Sequence, residues 1–121
     1  MRFGLGLGLA LLLLAAPALA APAPAATVED QFNDKCGDCH TVDGNSYTAP
    51  SLKGVFGRKI ASLPDFQYSD ALKAKGGAWT EAALDAYLAD PKAFAPGGAM
   101  TGSAPDPATR QAIIDYLKTV K

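Results

Sequence analysis

A single histidine and two cysteines are the whole supply of imidazole and thiol in these 121 residues. A structural zinc centre takes about four ligands of those kinds, so this chain cannot build one. Charge of either sign is also scarce, with 11 basic against 12 acidic residues and a net of -1. Nucleic-acid binders advertise a concentrated basic face, and none is visible, which argues against such a partner. No internal repeat is found, and no run alternates between apolar and polar residues as a half-buried strand would. Nor does any apolar stretch reach the roughly 20 unbroken residues that a membrane-spanning helix needs.

The stretch that comes nearest lies at the N-terminus. Arg2 precedes an apolar segment from Leu5 to Ala16, and Ala18-Leu19-Ala20 has the small-x-small pattern read by signal peptidase. Gly4, Gly6, Gly8 and Pro17 weigh against the alternative of an uncleaved anchor. Residues 1–20 are therefore expected to be a cleaved export signal, with no cysteine at the cleavage point to receive a lipid. Residues 21–26, Ala-Pro-Ala-Pro-Ala-Ala, follow as a disordered lead-in that cannot pack. Residues 27–121 remain as one small domain. Such a domain has a limited core and gains from a disulfide, a metal or a large cofactor.

Hydrophobic spacing predicts short helices joined by Gly/Pro-rich loops. Thr27 caps a first helix that has Glu29 and Asp30 in its opening turn and runs into Cys36, with Phe32 facing inward. Ser69 caps a second around Leu72, closed by Gly76-Gly77. Thr80 caps a third, with Leu84, Tyr87 and Leu88 on one face and Pro91 as its terminator. Asp106-Pro107 opens the last, in which Ile113, Tyr116, Leu117 and Val120 recur at helical spacing to the C-terminus. The spans from Cys39 to Tyr68 and from Pro91 to Pro105 are loop-rich. Long loops are costly in a small domain unless something large fills its centre.

The scarce residues are concentrated in Cys36-Gly37-Asp38-Cys39-His40, the C-x-x-C-H pattern of covalent haem attachment. Two residues between the thiols on a turn of helix let both sulfurs reach the vinyl groups on one edge of a haem. The next residue then lies under the iron, where a neutral imidazole can ligate it. A plain disulfide also satisfies the spacing in an exported chain, as does a chance motif with a solvent-facing His40. A thioredoxin-like pair would open a helix after a buried strand, and no such strand is found.

Once Met1 leaves with the export signal, Met100 is the sole methionine. A methionine usually fills gaps in a core. This one stands in a glycine-rich loop, Pro96-Gly97-Gly98-Ala99-Met100-Thr101-Gly102, of the kind that presents residues to a site. A thioether opposite His40 would close the iron's sixth position and raise its potential. Iron closed on both sides carries electrons and binds no substrate.

With these motifs the chain resembles the class I cytochromes c, in particular the cytochrome c2 and mitochondrial-type branch. The likeness runs from Phe32-Asn33-Asp34-Lys35-Cys36 through Gly54-Val55-Phe56-Gly57-Arg58-Lys59 and Tyr87-Leu88-Ala89-Asp90-Pro91-Lys92-Ala93-Phe94 to Tyr116-Leu117-Lys118. The resemblance implies an all-α domain of short helices and long loops around one covalent haem c, with iron held by His40 and Met100. It gives Pro50 the role of accepting a hydrogen bond from the His40 ring, and it sets Leu52 against the haem. Arg58, Tyr68 and Trp79 correspond to residues that hold a buried propionate, and Tyr87 to a phenol beside the methionine sulfur. Phe32 and Tyr116 fall where the first and last helices cross. Val28, Ala49, Gly98 and Gly102 depart from the family pattern, which implies a wider helix crossing and a looser methionine side.

The implied function is that of a monomeric periplasmic electron carrier, not an enzyme, with membrane contact only through its partners. It would shuttle single electrons between larger redox complexes: a quinol-oxidising complex, a terminal oxidase, a photosynthetic reaction centre or a dehydrogenase. Lys35, Lys53 and Lys92 are candidates for steering such partners to the haem edge near Cys39. The competing readings are a haem enzyme or gas binder with a labile sixth ligand, and a fixed electron-transfer subunit of one complex.

Overall fold

The computed structural model describes residues 16–121. Most of the expected export signal thus lies outside the described residues, and residues 16–26 are exposed and have no regular structure. The first helix, α1, spans Val28–Cys36 and starts where Thr27 and Asp30 cap each other. The Asp30 amide donates to the Thr27 hydroxyl at 3.1 Å, and the Thr27 amide donates to the Asp30 carboxylate at 2.9 Å. Two otherwise orphaned helix donors are satisfied by this reciprocal pair. The Thr27 amide, and after it the Thr27 hydroxyl, which donates to the same carboxylate at 2.8 Å, hold the Asp30 carboxyl below its ordinary pKa.

Helix α2 covers Asp70–Lys75 under a Ser69 cap, and α3 covers Glu81–Ala89 under a Thr80 cap. Pro91 ends α3 as expected, but it also opens a further short helix, α4, over Pro91–Phe94. The Asp90 carboxylate accepts from the Ala93 amide at 3.1 Å, and proline at the first helical position is already set for the turn. Beyond this one turn the span to Pro105 has no further helix, in keeping with a loop-rich segment. The last helix, α5, spans Pro107–Leu117 with Asp106 as its cap. It stops before Val120, whose carbonyl accepts from the Gly54 amide at 2.8 Å and so ties the C-terminus to the long loop.

Helix α5 packs against both α1 and α3, and α4 packs on α3. Ile113 and Ile114 of α5 are fully buried, and the Phe32 and Tyr116 rings meet with centroids 4.8 Å apart where α1 crosses α5. Val28, expected to widen that crossing, is 40% exposed and sits outside the core. The loop between α1 and α2 is fastened to the approach to α3. Gly57 donates to the Trp79 carbonyl at 2.8 Å, Trp79 to the Arg58 carbonyl at 2.8 Å, and Ile60 to the Gly77 carbonyl at 2.9 Å. Among the described residues there is no strand, only an isolated bridge between Lys59 and Ala78, so the domain is all-α. No described helix is long and apolar enough to cross a membrane.

Candidate cofactor site

The C-terminal end of α1 carries the C-x-x-C-H segment on a continuing turn. The Cys39 and His40 amides both donate to the Cys36 carbonyl, at 3.2 and 2.9 Å. Glycine at 37 has a steric reason, because a Cβ there would stand 2.7 Å from the Asn33 carbonyl oxygen. Cys36 is half-buried, and desolvation pushes its thiol pKa up to about 11, whereas Cys39 is exposed. The two sulfurs are not bridged to each other.

His40 is positioned through the far side of the next loop. Its Nδ1 lies 2.8 Å from the Pro50 carbonyl oxygen, and because a carbonyl only accepts, Nδ1 must carry the proton. A neutral ring therefore keeps its lone pair on Nε2. Burial lowers the His40 pKa, and the bond to Pro50 opposes that shift only in part. The Pro50 carbonyl is held in turn by Ser51, a buried residue that sequence reasoning missed. Its hydroxyl accepts from the Gly44 and Lys53 amides at 3.2 and 3.3 Å, and its own amide donates to Ser46 Oγ at 3.0 Å. No motif marks such a serine, because its value comes from how the loop closes.

A single cavity of about 400 Å³ brings the sequence-predicted residues together. Cys36, Cys39, His40, Pro50, Leu52, Arg58, Tyr68, Trp79, Tyr87 and Met100 all line it. That volume is in the range of cofactor pockets, which are mostly apolar with a few placed polar groups. The remaining wall is largely aliphatic, from Val55 in the long loop, Leu72 of α2, Leu84 and Leu88 of α3, and Ile113 and Leu117 of α5. Helices α2, α3 and α5 thus turn apolar side chains toward this space, and α1 brings Cys36 to its edge.

One side of the cavity is aromatic and cationic. Trp79 is 6% exposed, and its ring lies 5.0 Å from Tyr87 and 5.8 Å from Phe94. Burial raises the Tyr87 pKa. Phe66, unmarked in the sequence, meets Tyr68 edge-on at 5.1 Å, and the Tyr68 hydroxyl accepts from the Leu63 amide at 3.4 Å. Arg58 donates from Nη1 to the Lys53 carbonyl at 3.0 Å and from Nη2 to the Ser51 carbonyl at 3.1 Å. Its Nε is buried without any partner. Desolvation lowers the Arg58 pKa, against the opposing influence of Tyr68 and Asp65. A buried N–H on a cation is costly to leave unpaired, and it suits an anionic acceptor within the cavity.

The departures on the methionine side have contrasting origins. At Gly98 a Cβ would fall 2.9 Å from the Ala95 carbonyl, which the Gly98 amide already bonds at 2.9 Å, so the tight turn excludes a side chain. At Gly102 a Cβ would meet nothing within 4 Å, so no protein atom replaces the missing aromatic. Of the candidate steering residues, Lys35, Lys53 and Lys92 are all exposed, and Lys35 pairs with Asp34 at 3.0 Å.

Two closely spaced thiols, a neutral imidazole, a thioether and a half-buried cation with one unpaired N–H around one apolar cavity fit a covalent haem, and so define a small all-α haem protein. Comparison with known proteins narrows the class. The family model described as Cytochrome c matches residues 25–121. Cytochrome c2 iso-1 of Magnetospirillum fulvum is 44% identical over 91 residues, covering 72% of this chain and 92% of that protein. The cytochrome c-type cyt cy of Rhodobacter capsulatus is 43% identical over 93 residues, covering 76% of this chain but 47% of that longer protein. The solved structure of cytochrome cH from Methylobacterium extorquens superposes with a TM-score of 0.71 at 39% identity, covering 76% of this chain and 94% of that one. This chain belongs to the cytochrome c family. It is a class I c-type cytochrome that binds covalent haem c with its iron and carries electrons rather than catalysing a reaction.

Proposed function

We propose that the chain is a free periplasmic shuttle, exported by residues 1–20, which are then removed, with residues 21–26 as a flexible lead to the domain at 27–121. It would pass single electrons between larger redox complexes: a quinol-oxidising complex and a terminal oxidase, a photosynthetic reaction centre or a dehydrogenase. The observation that carries the site assignment is the convergence of both cysteines, His40 and Met100 on one cavity. Cys36 and Cys39 would hold the haem through thioethers, and His40 and Met100 would be the residues that ligate its iron. When bound, the haem supplies a one-electron ferric/ferrous couple.

The chain's own residues set the conditions for that couple. The Pro50 carbonyl orients the His40 ring and makes it a better donor. Leu52 and the aliphatic wall exclude water. Arg58, with Tyr68 and Trp79 on the same cavity wall, would stabilise a propionate, and Tyr87, which lines the cavity with Met100, would be the phenol on the sulfur side. A haem stain of the periplasmic extract should reveal a monomeric band near the mature mass, with the membrane fraction colourless after a salt wash. Colour retained in a salt-stable membrane complex would make the chain a fixed subunit, and fast carbon monoxide binding by the native protein would make the sixth position open.

Arg58→Ala tests the propionate assignment. Removing a half-buried cation disfavours the reduced state, so the midpoint potential should fall by on the order of 50 mV, close to the 59 mV that marks a tenfold change for one electron. It should also raise the propionate pKa. Reduction would then take up a proton, and the potential would decline as pH rises through that range. A potential and pH profile identical to the parent protein's would sever Arg58 from the haem.

A further inference from the structure

The segment that carries Met100 is held by its ends. Among the described residues, Ala99 to Ser103 make no hydrogen bond, whereas the Gly98 amide bonds the Ala95 carbonyl at 2.9 Å and the Ala104 amide bonds the Leu88 carbonyl at 2.7 Å. The far end has a second fastening in Arg110 of α5. Its Nη1 donates to the carbonyls of Ala104 and Pro105 at 3.1 and 2.8 Å, and its Nε donates to Asp85 of α3 at 2.7 Å. The Arg110 side chain is only 12% exposed, so this ion pair is better shielded than an ordinary surface bridge. One guanidinium therefore ties two helices and the end of the loop together, a task its rigid fork of donors suits.

We infer that Arg110, braced by Asp85, is a positioning residue for Met100: it is the second fastening at the far end of a loop without hydrogen bonds between its ends, and so keeps the sulfur on the iron. The inference rests on the reading of Met100 as the axial ligand. A loop secured at two ends and bare between them opens when either end is freed. The fraction of molecules with the sulfur displaced then sets how well an outside ligand competes.

The test uses the ferric holoprotein with imidazole as the probe, following the weak red-region band that accompanies sulfur ligation. Arg110→Ala should raise the apparent imidazole affinity about tenfold or more, because charge-assisted bonds to two carbonyls are lost. Arg110→Lys keeps the charge but not the fork and should fall between. Lys118→Ala is the control, since Lys118 joins Glu81 at 2.8 Å across the same pair of helices and makes no bond to the loop. It should leave imidazole affinity unchanged. Equal affinity in Arg110→Ala and the parent, or an equal rise in Lys118→Ala, would reduce Arg110 to a general stabiliser of the fold. A parent protein without the sulfur band would instead overturn the reading of Met100, and the positioning role with it.

Discussion

Cys36→Ala combined with Cys39→Ala should yield a protein from which acidified organic solvent removes all haem, whereas colour stays with the parent polypeptide. Once stripped of haem, the same variant should lose its cooperative unfolding transition. The cavity of about 400 Å³ is walled by residues from every helix except α4, so most of the core has the cofactor as its neighbour. Left unfilled, a space of that size would cost at most roughly 10 kcal/mol, at about 24 cal/mol per Å³ of cavity. That is comparable with the entire stability of a small domain, about 5–15 kcal/mol. Colour that leaves the parent protein with the solvent would refute covalent attachment. His40→Ala separates anchoring from ligation: thioethers should remain while the proximal ligand, and with it the low-spin spectrum, is lost.

Met100→Ala should abolish the red-region sulfur band and lower the midpoint potential by on the order of 100 mV or more, because a thioether opposite histidine favours the reduced iron. At about 59 mV per tenfold for one electron, that is a shift of well over tenfold in the reduction equilibrium. Carbon monoxide and imidazole should then bind within mixing time. In the parent protein the band should be present near neutral pH and disappear from the ferric form as pH rises, because a lysine such as the exposed Lys92 can ligate only after losing its proton. The ferrous form, being softer, should keep its sulfur over the same range. A parent spectrum that never shows the band, together with an unchanged potential in Met100→Ala, would remove Met100 from the iron and favour the open-site reading.

Part of this architecture was legible without coordinates because it is encoded over very short spans. Thr27, Ser69, Thr80 and Asp106 each cap the helix assigned to them, since a cap is a contact between a side chain and an amide three residues on. Helix α4 escaped because the proline that stops α3 is also suited to start a new turn, and one residue carried both signals. The end of α5 was misjudged for a different reason. Its apolar spacing continues to Val120, but the turn after Leu117 tightens, with the Thr119 amide and hydroxyl both donating to the Tyr116 carbonyl at 2.9 and 2.6 Å.

The sequence by itself determined the chemical groups on offer: two thiols at a spacing that can span a haem edge, a lone histidine beside them, and a lone methionine in residues 27–121. These are facts of composition and adjacency, and no folding is needed to read them. Tertiary structure alone decided how they meet. It closed the loop on Ser51 so that the Pro50 carbonyl faces His40, buried the Arg58 Nε without a partner, and drew Asp85, Ala104 and Arg110 into one clamp. Each of these contacts joins segments separated by a loop or a helix, and its existence depends on how apolar faces pack around a shared centre. Local patterns record the faces but not the packing, so residues whose importance lies in bridging distant backbone leave little trace in the sequence.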